Sequence, residues 1–477
     1  MTPKTNVGKL FASSNVSYLS FLISGIRNLW LAKLLLPQDL ASNSLSSLII
    51  TLCLFMDFGA VMSIKRIVPK LGNDHSLVSR ELAQVKKLML TPVAFCSILS
   101  ALVGITLLHL GSDTYALGFL AGAAILPLQS VSNFRSASYV ALGKSNRSAN
   151  LMLLTVASNF MATLALEPIL NKWVIVVTPI MGYAISLLVD YQVTGGIVLF
   201  QSGWFSKPSE VRLQAKKNVF LFTSQILAFL MVTIESWLSY PFLGMKEVAS
   251  LGLLMNLIAA ISIYPVMFSN QIQSKIVPEE IKNINSSIYS LMRRSRLFLA
   301  ITLSLVCTLG CLGMTAIILN LLPQYSVAIF PMWLFVISAY FYGNTFYSSN
   351  YPIVIGIERK ISRNQIFSVG IAVSLSLVLF FCGVLDLATL GAISVIKALI
   401  FSHLTTRTLF IYSSKTLSKP TSTLIQNLGF ATPLAVCACG FQTNSAIIVF
   451  VGVIFELVVC SLLLPREWKA FSKEFNS

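Results

Sequence analysis

Residues 25–66 read GIRNLWLAKLLLPQDLASNSLSSLIITLCLFMDFGAVMSIKR. Two long apolar runs are joined by a short turn, Pro37-Gln38-Asp39-Leu40. Each run carries one charge where hydrocarbon disfavours it, Arg27 in the first and Asp57 in the second. A basic pair, Lys65 and Arg66, follows. An ionisable side chain within a membrane span is costly and marks function by default. The stretch therefore predicts a membrane protein whose few buried charges carry its chemistry.

The same texture runs through the whole chain. Hydrophobic residues make up 56% of it and charged residues 11%, against about 25% charged in ordinary soluble domains. Apolar runs long enough to span recur from end to end. They predict fourteen spans, at about 11–34, 41–62, 88–110, 115–134, 148–168, 173–200, 217–240, 248–271, 297–320, 327–352, 364–385, 388–410, 422–441 and 445–464. The fold class that follows is an all-α polytopic membrane protein. The first span reads as a retained signal anchor, because its apolar run is too long for a cleaved leader.

The net charge of +17 invites a nucleic-acid interpretation, and the placement of the charges rejects it. With a cytoplasmic N-terminus, basic clusters such as Lys65, Arg66, Lys70, Arg80, Lys86 and Lys87, or Arg293, Arg294 and Arg296, all fall on inner segments. The outer connections hold only Lys33, Lys172 and Lys246. This asymmetry is the positive-inside pattern. It predicts cytoplasmic N- and C-termini and contact with anionic membrane lipids. The eight cysteines lie inside apolar runs, which speaks against a disulfide framework or a zinc site.

The chain also repeats internally. One shift lays Leu19 on Leu227, Leu22 on Leu230, Ala41 on Ala249, Ser42 on Ser250 and Ile50 on Ile258. It lays Asp39 on Glu247 and Arg27 on Glu235. Six spans separate the copies, so both share one orientation, as in a parallel repeat about the membrane normal. Two pseudo-symmetric six-helix lobes are expected, at 1–205 and 206–412, followed by a helix pair and cytoplasmic tail at 413–477.

Within the spans the ionisable residues are Arg27, Asp57, Asp190, Glu235, Lys397 and Glu456. At ~1.5 Å per residue, Arg27 and Glu235 lie roughly 10 Å from the outer ends of their spans, and Asp57 about 25 Å from the outer end of its own. Depth therefore matches Arg27 to Glu235, and the two are expected to face each other across a cleft as an outer gate. A freed guanidinium suits phosphate or carboxylate, because its planar fork binds both oxygens. Lys397 offers a second positive charge. Asp57, Asp190, Glu235 and Glu456 are candidate sites for coupling to H+ or Na+. Tyr342, Asn344 and Tyr347 sit in an aromatic stretch, residues 340–352, that suits stacking on and hydrogen bonding to sugars. Gly143-Lys144-Ser145 imitates the end of a P-loop, but Ser138 stands where the pattern needs glycine. No motif of a hydrolase or of a metalloenzyme is present, and the expectation is a transporter with no cofactor, not an enzyme.

Arg27, the turn Leu35-Leu36-Pro37-Gln38-Asp39, and Asp57-Phe58-Gly59-Ala60 with Pro69 beyond resemble the O-antigen and polysaccharide repeat-unit (Wzx-like) flippases of the multidrug/oligosaccharidyl-lipid/polysaccharide exporter (MOP) superfamily. Arg135 with Ala141-Leu142-Gly143-Lys144 looks like the corresponding family segment, and the stretch from Glu235 to Ala249 like its second-lobe copy. The resemblance implies two six-helix lobes around a cavity and alternating access driven by an ion gradient. It implies an undecaprenyl-diphosphate-linked oligosaccharide as cargo, moved across the bacterial inner membrane for lipopolysaccharide or other polysaccharide biosynthesis. It further implies polysaccharide assembly proteins as partners and a monomeric transporter. Two basic charges against four acidic ones in the spans favour a neutral or weakly charged glycan, with Arg27 and Lys397 meeting the diphosphate. The alternatives are a lipid II flippase and a cation or drug antiporter using Asp57, Asp190 and Glu235. A membrane glycan polymerase or ligase is disfavoured, because the outer connections are all short.

Overall fold

The computed structural model describes residues 7–55, 64, 75–142, 144–194, 209, 212–213, 216, 219–281, 285–355, 358–412 and 420–476. These form fourteen long α-helices and, among the described residues, no strand. In chain order they are α1 (Val7–Leu34), α2 (Pro37–Phe55), α3 (His75–His109), α4 (Asp113–Ala141), α5 (Ser145–Leu170), α6 (Val174–Thr194), α7 (Val219–Phe242), α8 (Met245–Ile281), α9 (Asn285–Leu321), α10 (Ile329–Ile355), α11 (Glu358–Phe381), α12 (Leu387–Tyr412), α13 (Pro420–Gln442) and α14 (Ala446–Asn476). Each of the fourteen expected spans falls on one of them. Hydrocarbon offers no water to a peptide group, so every backbone donor and acceptor must be paired within the segment. Long apolar runs therefore close into helices.

The chain folds as two compact units, residues 1–229 and 230–477. The expected lobe boundary at 205–206 lies outside the described residues. The first unit is built on α4, which packs on α2, α3, α5 and α6. The second is built on α10, which packs on α8, α9, α11 and α12. The pattern is the same helix by helix, as an internal repeat requires. The turn between α1 and α2, Leu35-Leu36, corresponds to Leu243-Gly244 between α7 and α8, and each leaves two residues between helices. Asp39 and Glu247 both sit in the first turn of the helix that follows, where a carboxylate opposes the positive end of the helix dipole. Glu247 also accepts the Gly244 N–H at 2.8 Å. Ala41 and Ala249 are both completely buried. Ser42 and Ser250 are buried as well, each bonding the carbonyl four residues back.

Helices pack closely in lipid where small residues let backbones approach. Gly182 of α6 lies against α5, where an added Cβ would stand 2.8 Å from the Thr155 carbonyl oxygen. The hairpin of α13 and α14 is tighter still. A Cβ on Gly440 would meet the Val449 nitrogen at 2.7 Å, and one on Gly452 the Cys437 sulfur at 2.5 Å. Asn444, with φ +53°, turns the chain between them. The α13–α14 pair belongs to the second unit and packs on α9 and α10. The other faces of α14 display Phe450, Val451, Phe455, Leu457, Val458 and Leu462, the side chains of a surface made for acyl chains.

A substitution tests this hairpin. Gly452→Val forces a branched side chain onto Cys437 and should cost about 1–3 kcal/mol, the ordinary cost of overpacking. The expected outcome is a lower midpoint of thermal unfolding in detergent and faster reaction of Cys437 with a maleimide. Unchanged values of both would show that the two helices are not packed at Gly452.

Candidate functional site

Among the described residues, Arg27, Arg135 with Asp190, Glu235 with Lys397, and Glu456 form four separate buried centres, two in each unit, and Lys86 of α3 is a further fully buried charge. In the first unit, Arg27 of α1 is 7% exposed. Its Nε donates to Thr163 Oγ1 of α5 at 3.0 Å, and one terminal nitrogen donates to Thr178 Oγ1 of α6 at 3.3 Å. The other terminal nitrogen reaches Asn28 Oδ1 at 3.4 Å. The two threonines touch each other at 3.2 Å, and the close α5–α6 approach at Gly182 sets them side by side. No carboxylate lies within salt-bridge distance of Arg27 among the described residues. A guanidinium has five N–H donors. These contacts occupy three, leaving one hydrogen on each terminal nitrogen. Arg27 is thus a buried cation held by neutral groups, with half of its fork uncommitted.

The other centre of the first unit joins Arg135 of α4 to Asp190 of α6. The Arg135 Nε donates to Asp190 Oδ2 at 2.7 Å, and a terminal nitrogen lies 2.5 Å from the same oxygen. Tyr139, one turn on, accepts from Arg135 at 2.7 Å and donates to Asp190 Oδ1. The expected span ends at residue 134, just before Arg135, whereas α4 continues to Ala141 and Arg135 is 5% exposed within it. The Arg135/Tyr139 spacing of four puts both on one helix face. That spacing is the signal that could have identified them as a pair.

In the second unit, Lys397 of α12 and Glu235 of α7 form an ion pair at 2.6 Å, with the two side chains 2% and 1% exposed. The Lys397 ammonium also donates to the other Glu235 oxygen at 2.8 Å and to the Met231 carbonyl at 2.5 Å. Met231 also packs with Phe401, Ile361 and Val369 in one buried apolar cluster. The carboxylate that depth alone matches to Arg27 is held by a lysine of its own unit. Sequence reasoning assigned these two residues to different roles and missed their pairing, because they are far apart in the chain.

Glu456 of α14 forms the fourth centre. It is 2% exposed, and among the described residues its hydrogen-bond partners are Ser304 of α9, at 3.1 Å, and Cys460, at 3.4 Å. Asn344 of α10 is 3% exposed, and its amide donates to Asn427 of α13 at 2.9 Å and lies 3.5 Å from the Tyr340 hydroxyl. Tyr342 stacks on Phe401 with centroids 5.8 Å apart. Asp57 and the side chain of Tyr347 lie outside the described residues. No cluster of metal-ligating side chains occurs among the described residues.

Neither a family model nor a curated protein matches the sequence. Solved structures do. The chain is similar to the lipid II flippase MurJ in its inward-closed conformation, with a TM-score of 0.67 and 11% identity over 96% of this chain and 99% of that one. It is similar to the MATE multidrug transporter DinF-BH, with a TM-score of 0.58 and 14% identity over 87% of this chain and 98% of that one. An inward-facing multidrug-resistance MATE transporter of the MOP superfamily gives 0.55 and 12% identity over 85% and 98%. The fold is therefore that of MOP-superfamily transporters, and the chain is a multi-pass membrane protein.

The ion pair makes a double-mutant test. Glu235→Gln or Lys397→Met alone strands one buried charge and should cost about 3–5 kcal/mol, whereas the double change strands none and should cost less than either. Thermal unfolding of the purified protein reads this directly. A double variant as unstable as the sum of the singles would show that the two residues do not interact.

Proposed function

We propose that the chain is a flippase that moves an undecaprenyl-diphosphate-linked oligosaccharide, an O-antigen or related repeat unit, across the bacterial inner membrane by ion-coupled alternating access. The observation that carries this reading is Arg27. It is a buried guanidinium with hydroxyl partners, no carboxylate among the described residues, and unused N–H groups on both arms of its fork. That arrangement suits a ligand bringing its own negative charge on paired oxygens, as a diphosphate does. Lys397 is the second buried cation offered to the diphosphate, and it is paired with Glu235. It is released to a phosphate only when its pair with Glu235 opens, which favours Arg27 for first contact. The likeness to MurJ, a lipid II flippase, supports a flippase reading. It also supports the second reading, a lipid II flippase, since MurJ is matched over nearly all of both chains. The MATE transporters leave more of this chain unmatched, so drug or cation export ranks third. In all three readings the chain carries out transport and not catalysis.

Complementation separates them. Expression in a strain lacking its O-antigen flippase should restore surface glycan, and failure despite confirmed insertion in the membrane would count against the proposal. Rescue of growth on MurJ depletion would favour the second reading. In the complementing protein, Arg27→Ala should abolish rescue. Arg27→Lys keeps the charge but loses the fork and the Thr163 bond, and should reduce transport about tenfold, the worth of one charge-assisted hydrogen bond. Full rescue by Arg27→Ala would remove Arg27 from substrate binding.

A further inference from the structure

Of the carboxylates described within the spans, Asp190 is paired with Arg135 and Glu235 with Lys397. Glu456 is paired with no cation among the described residues. It lies about 15 Å along α14 from the start of that helix, counted at ~1.5 Å per residue, and so near the middle of its span. An isolated carboxylate at such a place is expensive, and its hydrogen bonds decide its state.

The hydrogens can be counted. Ser304 has one hydroxyl hydrogen. Its oxygen lies 2.7 Å from the Phe430 carbonyl of α13 and 3.1 Å from Glu456 Oε2. The shorter contact takes the hydrogen, because the carbonyl can only accept. The longer contact is then satisfied if Oε2 carries a hydrogen and donates it to the serine lone pair. The Cys460 thiol, 3.4 Å from Oε1, is a weak donor to the other oxygen. With a proton on Oε2 every polar atom of the cluster has a partner. Without it the charge would have one thiol and a shared hydroxyl as its whole solvation.

The surroundings also select the ligand. The titratable groups facing Glu456 are Cys307 of α9, Tyr340 of α10, Cys437 of α13 and Cys460 of α14 itself. All are uncharged in their ordinary neutral forms. Arg296, the cation on α9, is engaged at the start of α13 by Thr423 at 2.7 Å and Gln426 at 3.3 Å. A sodium ion wants a shell of oxygens, as hard cations do. Here the oxygens that the described residues bring near the carboxylate are the hydroxyls of Ser304 and Tyr340, and the other titratable neighbours are the thiols of Cys307, Cys437 and Cys460.

We propose that Glu456 is a proton-binding site outside the two six-helix lobes. The acid is neutral while α14 is packed on α9 and α13, and it ionises when α14 moves away and water enters. In that step the O–H bond on Oε2 breaks, its electron pair stays on the carboxylate, and the proton passes to the entering water. Closure reverses it. The C-terminal helix pair thereby gains a proton-dependent position. The site is independent of the cargo and goes beyond the flippase reading.

Two measurements on the purified full-length protein in lipid test it without any substrate. Infrared spectra at neutral pH should show the carbonyl stretch of a buried protonated carboxyl, and Glu456→Gln should remove it. Glu456→Gln mimics the neutral acid in shape and is expected to fold. Spin labels at Leu309 of α9 and Phe450 of α14, both exposed, with Cys382 and Cys439 changed to serine, report the spacing of these helices. The distance should lengthen at alkaline pH in the otherwise native protein and stay short in Glu456→Gln. Retention of the infrared band in the variant would overturn the proposal, and so would an identical response of the distance to pH in both proteins. Failed complementation alongside success here would reject the flippase reading and leave the proton site standing.

Discussion

A charge inside hydrocarbon has only the protein to solvate it, and the structure is arranged around that demand. Glu235 and Lys397 answer it with each other and the Met231 carbonyl, at 1% and 2% exposure. Arg135 and Asp190 answer it with each other and Tyr139. These pairs tie α7 to α12 and α4 to α6. Helix positions in each unit are thus held by interactions that cannot be exchanged for water without opening the bundle. Such pairs contribute little net stability against an apolar replacement, yet they are costly to break one side at a time. They fix register more than they deepen the fold.

Against this background two groups stand apart. Arg27 has hydroxyls where the others have counter-ions, and Glu456 has a hydroxyl and a thiol. Each is a buried group left short by its own unit. The proposed function would complete Arg27 with an anion, and the proposed proton site would complete Glu456 with a proton. The two occur in different units, with Glu456 in a helix pair that the internal repeat does not contain.

Small residues set the distances at which this works. Gly182 lets α6 approach α5, and the Thr163 and Thr178 hydroxyls then meet at the Arg27 fork. Gly440 and Gly452 bring α14 close on α13, and Ser304, bonded to the Phe430 carbonyl of α13, reaches Glu456 of α14. In lipid no hydrophobic force drives one helix onto another, so close packing and hydrogen bonds must supply the attraction.

Much of this was legible in the chain itself. Span number follows from apolar run length, and the helices follow from the absence of water around the backbone. The repeat was visible in Leu19/Leu227 and Ala41/Ala249, and its counterpart turns close with the same spacing. The set of unusual charges was legible too, because a charge in an apolar run needs no structure to be noticed. Their partners were not. Depth along a helix is a one-dimensional quantity, and it ranked Glu235 as the match for Arg27. Which face a residue presents, and which helix lies opposite, are decided by packing between segments distant in sequence. Only the tertiary structure could join Glu235 to Lys397, set Arg135 against Asp190, and leave Glu456 without a cation among the described residues.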